Sequence, residues 1–391
     1  MGGRRGGPRK TGPGRESRLT FLEINQVSPH ISISKNDTII LMFDKLFNLV
    51  TYDLGIDLGT TNTTIFVLGK GIAIREPTVV ARNKKSKEIV AVGIEAKKMI
   101  GRTPGQLETI RPLENGVISD FDATVGLLSY YFKKLHETYG FQIKIPRPKV
   151  VVSIPTSVTD VERKAAQDAA LNAGAREAFL IESPIATAIG AELPIFEAAG
   201  ALIINIGGGT TELAVISLGG IVIGKSLRLA GDSMDEAMVN FMRLKYSLLI
   251  GLPTAESLKI QIGSVTETKD KEGKMMIIRG RDLSTGLPHS IRINTAEVRE
   301  ALAPRVNQIV RAISDIIEET PPELLGDITT RGIYLAGGIA QLPGWDTLVT
   351  EMTKMPCVVV DDPMTVVVRG CAKVLSDKNL LDKVKVRGGV K

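Results

Sequence analysis

The stretch Ile-Asp-Leu-Gly-Thr-Thr-Asn at residues 56–62 decides the fold, because a second stretch of the same design follows it. Residues 204–212 read Ile-Asn-Ile-Gly-Gly-Gly-Thr-Thr-Glu. Each stretch lies between two apolar, β-branched runs, so each is predicted to form the tight turn of a β-hairpin. Glycine lets backbone N–H groups approach an anion closely, and threonine hydroxyls add donors, as binding of a polyphosphate requires.

The likeness of the two stretches extends beyond the turns. Three pairs of positions coincide in one alignment: Asp57 with Asn205, Gly59 with Gly207, and Gly71 with Gly219. One glycine-rich turn is weak support for a phosphate site, since most such turns only reverse the chain. Two aligned turns favour duplication of one unit, with a nucleotide held between the two halves.

The length and the charge of the chain limit the functions that it can have. A chain of 391 residues with 43% hydrophobic content can bury at least two cores and is expected to fold as a globular protein of two or more domains. The formal charge is +6, but six basic residues and one acidic residue place +5 within residues 1–18. The rest of the chain is nearly neutral, so nucleic acid is not an expected partner.

Cysteine and histidine usage gives further limits. Only Cys357 and Cys371 occur, which fits a reducing compartment and provides no disulfide framework. The histidines, His30, His136 and His289, are far apart in sequence, so a protein-held transition metal is not expected. No apolar run reaches the roughly 18 residues of a membrane span, and the start lacks the apolar segment of a secretory signal. We therefore expect a cytoplasmic protein.

The chain before the first hairpin has two parts. Residues 1–41 are predicted to be a disordered basic extension. Alternatively, translation starts at Met42, and residues 1–41 are then not part of the native protein. An apolar stripe at helical spacing follows, formed by Phe43, Leu46, Phe47 and Val50. It fits a short amphipathic membrane anchor, or equally a lead-in that packs on its own domain.

Strands and helices alternate in the first half of the chain. We predict a helix over 122–139, a buried strand over 150–154, a helix opened by the capping box of Thr159 and Glu162, a strand over 178–182, and a helix that starts at Ser183-Pro184. Such alternation implies a largely parallel sheet covered on both faces.

The second half contains a further glycine-rich turn. We predict strands within 213–229, a helix from Gly231 whose methionines fill the core, a solvated hairpin or loop at 266–282, and a long helix over about 295–319. The strand that ends at Leu335 then leads into Ala-Gly-Gly-Ile-Ala at residues 336–340. A turn of this kind suits contact with a flat base or a phosphate.

From Met42 to about Leu375, the chain resembles the rod-shape-determining MreB/Mbl family of bacterial actin homologues. The turn at 57–62 is similar to the family's first phosphate loop, and the turn at 207–212 is similar to its second. Residues 254–259, Thr-Ala-Glu-Ser-Leu-Lys, resemble its ribose and adenine helix. Other family-like stretches are the adenosine turn Gly337-Gly338 and the segments 101–105, 116–121 and 174–177.

The resemblance implies an α/β protein with the actin/Hsp70/sugar-kinase fold, which is a duplicated ribonuclease H-like arrangement of two lobes around a nucleotide cleft. Lobe I is expected to comprise residues 42–181 and 361–391, with a small insert at about 78–110. Lobe II is expected to comprise residues 182–360, with a small insert at about 225–296. The implied cofactors are ATP and Mg²⁺, with Asp57 holding the metal through water.

Site residues are carried over by the same resemblance. The implied cofactor-binding residues are Gly59, Thr60, Thr61, Asn62, Gly207, Gly208, Gly209, Thr210, Thr211, Glu256, Ser257, Leu258, Lys259, Gly337, Gly338, Ile339 and Ala340. The implied catalytic positions are Asp57, Glu182, Ser183, Asn205 and Thr210. The family also implies antiparallel double filaments on the inner face of the cell membrane, which organise cell-wall synthesis. Expected partners are thus further copies of the chain, the cell-wall elongation machinery, and the membrane through the apolar stripe.

Two positions depart from the family pattern. Residues 182–184 read Glu-Ser-Pro where the family has Glu-Glu-Pro, and Asn205 replaces an aspartate. A carboxylate at position 183 would orient or deprotonate the attacking water, and one at 205 would help to hold hydrated Mg²⁺. The simpler interpretation makes Ser183 a helix N-cap and Asn205 a polar strand end. Glu182 is a poor substitute, because adjacent residues on a strand point to opposite faces.

We therefore predict an ATP-binding filament protein with weakened hydrolysis. The alternatives are an active cytomotive ATPase that uses Glu182 or another group, and a passive scaffold that co-assembles with an active paralogue. A small-molecule kinase of the same fold is remote, since no base facing an acceptor pocket is evident. A chaperone of the Hsp70 type would need a peptide-binding domain after the nucleotide-binding part. Only 21 residues follow Gly370, so we do not expect this function.

Overall fold

The computed structural model describes residue 2 and residues 52–139, 147–267 and 273–386. The predicted extension and the apolar stripe lie outside these ranges. The strands are β1 Leu54–Leu58, β2 Asn62–Val67, β3 Gly71–Pro77, β4 Val80–Asn83, β5 Ile89–Val92, β6 Leu107–Ile110, β7 Leu113–Glu114, β8 Val117–Ile118, β9 Lys149–Ile154, β10 Glu177–Glu182, β11 Ala201–Ile206, β12 Thr211–Ser217, β13 Gly220–Leu227, β14 Leu248–Leu249, β15 Met275–Asp282, β16 Pro288–Asn294, β17 Ile333–Ala336 and β18 Cys357–Val359.

Helices connect and cover these strands. They are α1 Ile94–Lys98, α2 Phe121–Thr138, α3 Asp160–Asn172, α4 Ser183–Gly190, α5 Gly231–Tyr246, α6 Leu252–Ile262, α7 Thr295–Glu319, α8 Pro322–Arg331, α9 Trp345–Thr353, α10 Val366–Ser376 and α11 Lys378–Val384, with a 3₁₀ helix at Gly338–Gln341. In the described ranges, no helix is both long and apolar enough to cross a bilayer.

Two five-stranded sheets share one topology. The strand order is β10-β9-β1-β2-β3 in the first and β13-β12-β11-β17-β18 in the second. In each sheet three consecutive strands form an antiparallel meander. One later strand pairs in parallel with the first strand of the meander, and a second later strand pairs in parallel with that one. The prediction of a largely parallel sheet is therefore wrong, because tight hairpins force their two strands to be antiparallel. The repeated strand order agrees with duplication of one unit.

The two glycine-rich hairpin turns match in atomic detail. The Gly59 N–H donates to the Asn62 carbonyl at 3.2 Å, and the Gly207 N–H donates to the Thr210 carbonyl at 2.9 Å. Both hairpins predicted from the sequence are thereby confirmed.

The aligned positions Gly71 and Gly219 also correspond in backbone conformation. Their φ values are 95° and 77°, a region that L side chains rarely adopt. Both residues lie where the second strand of a meander turns into the third. The alignment made from the sequence therefore holds for the turns at both ends of that strand.

Most of the local predictions hold. The capping box of Thr159 and Glu162 starts α3, and Met234, Met238 and Met242 of α5 are fully buried in one core. The prediction of a solvated hairpin or loop at 266–282 holds in part, because β15 forms an antiparallel hairpin with β16 and is exposed at alternate positions. Residues 275–282 form the central strand of a three-stranded sheet, in the order β14-β15-β16. Because only the inward side chains of such a strand are buried, its charged outward positions resemble a loop in sequence.

Helices α4 and α10 cross at two glycines. A Cβ atom built on Gly370 would lie 1.8 Å from the Ala186 carbonyl oxygen, and one on Gly190 would lie 1.9 Å from the Val366 carbonyl oxygen. These separations are far shorter than a van der Waals contact, so a methyl group at either position forces the helices apart. Helix α4 follows the last strand of the first sheet, and its residues pack in one core with strands of both sheets.

We predict that Gly370→Ala lowers the free energy of unfolding by about 1–3 kcal/mol, because the added methyl overpacks the helix crossing. The matched control is Gly326→Ala in α8, where a Cβ atom would meet nothing within 4 Å. That change should raise stability by about 0.5–1 kcal/mol, since alanine is the better helix former. Urea denaturation of both variants measures the difference. Equal midpoints for the two variants would contradict the tight crossing.

Candidate nucleotide-binding cleft

A cavity of about 340 Å³ lies between the two glycine-rich turns. Both turns line it, together with the third glycine-rich turn at Gly337-Gly338 and residues of α6. The cavity is thus bounded by the ends of β1 and β11, which are the equivalent first strands of the two sheets. Duplicated hairpins therefore face one shared space from opposite sides.

The two turns approach each other closely. A Cβ atom on Gly208 would lie 1.8 Å from Thr61 Oγ1, and one on Gly209 would lie 2.5 Å from Thr60 Oγ1. Only glycine fits at these two positions while the turns keep this separation. The backbone N–H groups and threonine hydroxyls of the two turns supply donors at the cavity, which suits the oxygens of a polyphosphate.

Most of the residues predicted for the site line the cavity. Those that do are Asp57, Gly59, Thr60, Thr61, Asn62, Ser183, Asn205, Gly207, Gly208, Gly209, Thr210, Glu256, Lys259, Gly337, Gly338 and Ile339. Those not among its lining residues are Glu182, Thr211, Ser257, Leu258 and Ala340. Helical geometry explains part of the second group, since Glu256 and Lys259 share one face of α6 while Leu258 is buried in the core. Whether any of them binds a ligand remains a prediction.

Asp57 is the carboxylate at the end of β1. It accepts a hydrogen bond of 2.8 Å from Ser153 Oγ on the neighbouring strand β9. Burial raises the pKa of Asp57 to about 6, and the hydrogen bond from Ser153 opposes this shift. A cation in the cavity would favour the charged carboxylate. The oxygen donors available to such a cation are the Asp57 carboxylate, the amide oxygen of Asn205 and the threonine hydroxyls. This set fits hydrated Mg²⁺.

Ser183 lies at the cavity but not as the expected N-cap. Glu182 occupies the N-cap position of α4 without a side-chain cap, and Ser183 is the first helical residue. The buried Ser183 hydroxyl donates to the Ile154 carbonyl at 3.0 Å. Its proton is therefore already engaged with the backbone, and the side chain offers no base.

Glu182 lies outside the lining residues. Burial raises its pKa, Glu212 adds to the rise, and the nearby positive charge of Arg163 opposes it. Burial is thus the main influence on its ionisation. This placement agrees with the expectation that adjacent residues of a strand face opposite ways.

Three carboxylates that line the cavity were not assigned from the sequence: Glu212, Asp232 and Asp235. Glu212 accepts hydrogen bonds from the Thr156 N–H at 3.1 Å and from the Ser226 hydroxyl, while burial raises its pKa. Glu212 pairs directly with Asn205 across the hairpin. That pairing was the available signal, because directly opposite residues of a hairpin share one face.

Asp235 forms a buried ion pair with Lys259. The Lys259 Nζ lies 2.7 Å from the Asp235 carboxylate and donates to the Gly231 carbonyl at 2.8 Å. Burial raises the pKa of Asp235 to about 6, and the positive charge of Lys259 opposes this shift. The pair joins α5 to α6 and fixes the Lys259 side chain at the cavity wall.

Comparison with known proteins identifies the family. The MreB/Mbl protein family matches residues 51–383. The chain is 46% identical over 338 residues to the cell shape-determining protein MreB of Escherichia coli strain K12, covering 85% of this chain and 96% of that protein. It is 44% identical over 334 residues to the cell shape-determining protein Mbl of Bacillus subtilis strain 168, covering 85% and 98%.

A solved structure shares the fold. MreB5 of Spiroplasma citri, solved with ADP, superposes with a TM-score of 0.79 at 33% identity, covering 85% of this chain and 98% of that chain. The same protein solved with AMPPNP gives a TM-score of 0.79 as well. Both the family and the actin-like fold predicted from the sequence are confirmed. With its duplicated sheets, its facing turns and these relatives, the chain belongs to the MreB/Mbl family of actin-like proteins.

Proposed function

We propose that the chain is an ATP-binding, actin-like cytoskeletal protein whose membrane-associated filaments govern rod cell shape and organise cell-wall synthesis, with weakened ATP hydrolysis. The observation that carries the proposal is the close approach of Gly208 and Gly209 to Thr61 and Thr60 across the cavity. Two opposed donor surfaces suit a polyphosphate gripped from both sides. The relative solved with ADP and with AMPPNP supports an adenine nucleotide as the ligand.

Each part of the cleft has a role in this proposal. Backbone N–H groups of the two turns bind the β- and γ-phosphates, while Glu256 and Lys259 of α6 and the turn at Gly337 hold the adenosine. Asp57 would hold hydrated Mg²⁺, which would neutralise phosphate charge.

Hydrolysis should be slower than binding suggests. The Ser183 hydroxyl donates to a carbonyl and is no base near neutral pH, and the neutral amide of Asn205 attracts a cation less than a carboxylate does. Loss of a positioned base costs roughly 10²- to 10⁴-fold in rate. Serine at 183 and asparagine at 205 leave the glycine-rich turns unchanged. Nucleotide affinity should therefore be retained even though the rate of hydrolysis is low.

We predict that Ser183→Glu combined with Asn205→Asp raises phosphate release at least about tenfold, because it restores a base and a metal-side carboxylate. Release from the purified protein with ATP and Mg²⁺ measures the effect. Wild-type turnover equal to that of the double variant would reject weakened hydrolysis.

The result also bears on the alternative of an active cytomotive ATPase. If the wild type proves active, Glu182→Gln and Glu212→Gln tested separately show which carboxylate serves. Glu212 is favoured for this role, since it lines the cavity and Glu182 does not.

Nucleotide should stabilise filaments by locking the two halves of the chain in one shape. We predict filaments in negative-stain micrographs with ATP and with ADP, and far fewer without nucleotide. In Gly208→Ala, added nucleotide should no longer increase the number of filaments, because the new methyl group collides with Thr61 where the two turns meet. The matched control Gly105→Ala, where nothing lies within 4 Å of the added Cβ atom, should behave as wild type. Filaments indifferent to nucleotide would favour the passive scaffold.

The proposed location is the cytoplasm, peripherally on the inner face of the cell membrane. The apolar stripe of Phe43, Leu46, Phe47 and Val50 is the proposed anchor, and the cell-wall elongation machinery is the proposed partner. We predict that the full chain sediments with liposomes and that a chain beginning at Thr51 does so much less, because the stripe supplies the buried apolar area. Equal sedimentation of the two proteins would argue against the anchor.

A further inference from the structure

Two ion pairs link residues on the two sides of the cavity. Lys97 Nζ lies 2.8 and 2.9 Å from the two carboxylate oxygens of Glu256, and Arg111 Nη1 lies 2.8 Å from the Asp232 carboxylate. Lys97 is in α1 and Arg111 follows β6, both within the segment between β3 and β9 of the first sheet. Glu256 and Asp232 lie in α6 and α5, between β13 and β17 of the second sheet. Each pair therefore joins segments attached to opposite sheets.

Asp232 connects one of these pairs to the glycine-rich turns. Its carboxylate lies 3.4 Å from Thr61 Oγ1 in the first turn, and its backbone N–H donates to the Gly208 carbonyl in the second at 2.7 Å. Separating the two turns breaks the contacts of Arg111 and Thr61 with Asp232 together. Separating α1 from α6 breaks the contact of Lys97 with Glu256.

The acidic and basic members differ in their relation to the cavity. Glu256 and Asp232 line it, but Lys97 and Arg111 do not. The two cations therefore act on the cleft only through the carboxylates that they hold. We propose that Lys97 and Arg111 are positioning residues that hold the cleft closed and so set the rates at which nucleotide enters and leaves.

This inference rests on the proposed nucleotide binding and makes a distinct kinetic statement. Neither Lys97 nor Arg111 lines the cavity, so the two cations stabilise the closed cleft whether it is empty or filled. Removing them should speed association and release together and leave the dissociation constant within about twofold. A residue that binds the nucleotide directly would instead speed release alone and weaken affinity.

Exposure sets the size of the effect. The side chains are 34% exposed for both Lys97 and Arg111, 21% for Glu256 and 27% for Asp232. Partly exposed pairs contribute modestly, so we expect a rise of about two- to fivefold in both rates for each pair. Such pairs are also screened by salt. Release from the wild type should therefore quicken as ionic strength rises.

Stopped-flow measurement with a fluorescent ADP analogue, chased by excess ADP, tests the inference. Lys97→Gln with Arg111→Gln should raise association and release about tenfold and remove most of the salt dependence. The matched control is Lys98→Gln with Lys87→Gln, which breaks the local pairs to Glu95 and Glu108 in the same segment. The charge-conserving variant Lys97→Arg with Arg111→Lys should retain slow exchange, which separates lost charge from misfolding.

The outcomes are distinguishable. Exchange rates of the glutamine variant equal to those of its control would overturn the inference, as would faster release with a matching loss of affinity. Failure of the wild type to bind the ADP analogue at all would instead overturn the proposed function.

Discussion

The close approach of two glycine-rich turns is the constraint on which the structure depends. Gly208 and Gly209 stand against the threonines of the first turn at separations that no side chain tolerates. Because each turn closes the hairpin at the head of its own sheet, this contact sets how the two duplicated units meet. The cavity and the donors that face it from both sides follow from that meeting.

The cleft separates the requirements of binding from those of chemistry. In the proposed site, binding a polyphosphate needs backbone donors and a group that holds a cation, and the two turns and Asp57 supply these. Hydrolysis needs a base beside the attacking water, and Ser183 offers only a hydroxyl that already donates to a carbonyl. The two demands fall on different residues, so a chain of this family can lose one and keep the other.

Two further sets of contacts connect the two sides of this cleft. Helices α4 and α10 cross at Gly190 and Gly370 without room for a methyl group, which ties the ends of the two sheets together. The pairs Lys97–Glu256 and Arg111–Asp232 bridge the cavity elsewhere. One set is apolar, buried and close-packed, whereas the other is partly exposed and sensitive to salt. The tight crossing suits a pivot, and the ion pairs suit a closure that can be released.

The sequence by itself determined the local features of this protein. Hairpins, capping box and long helix were predictable because each depends on residues within a few positions of one another. The duplicated turns and the family followed from pattern alone. What only the tertiary structure decided is which distant side chains meet: Asp235 with Lys259, and Lys97 with Glu256. Lys97 and Glu256 lie in segments that are attached to different sheets, and no local sequence pattern predicts their contact. It exists because the packing of the two units brings α1 and α6 to the same cavity.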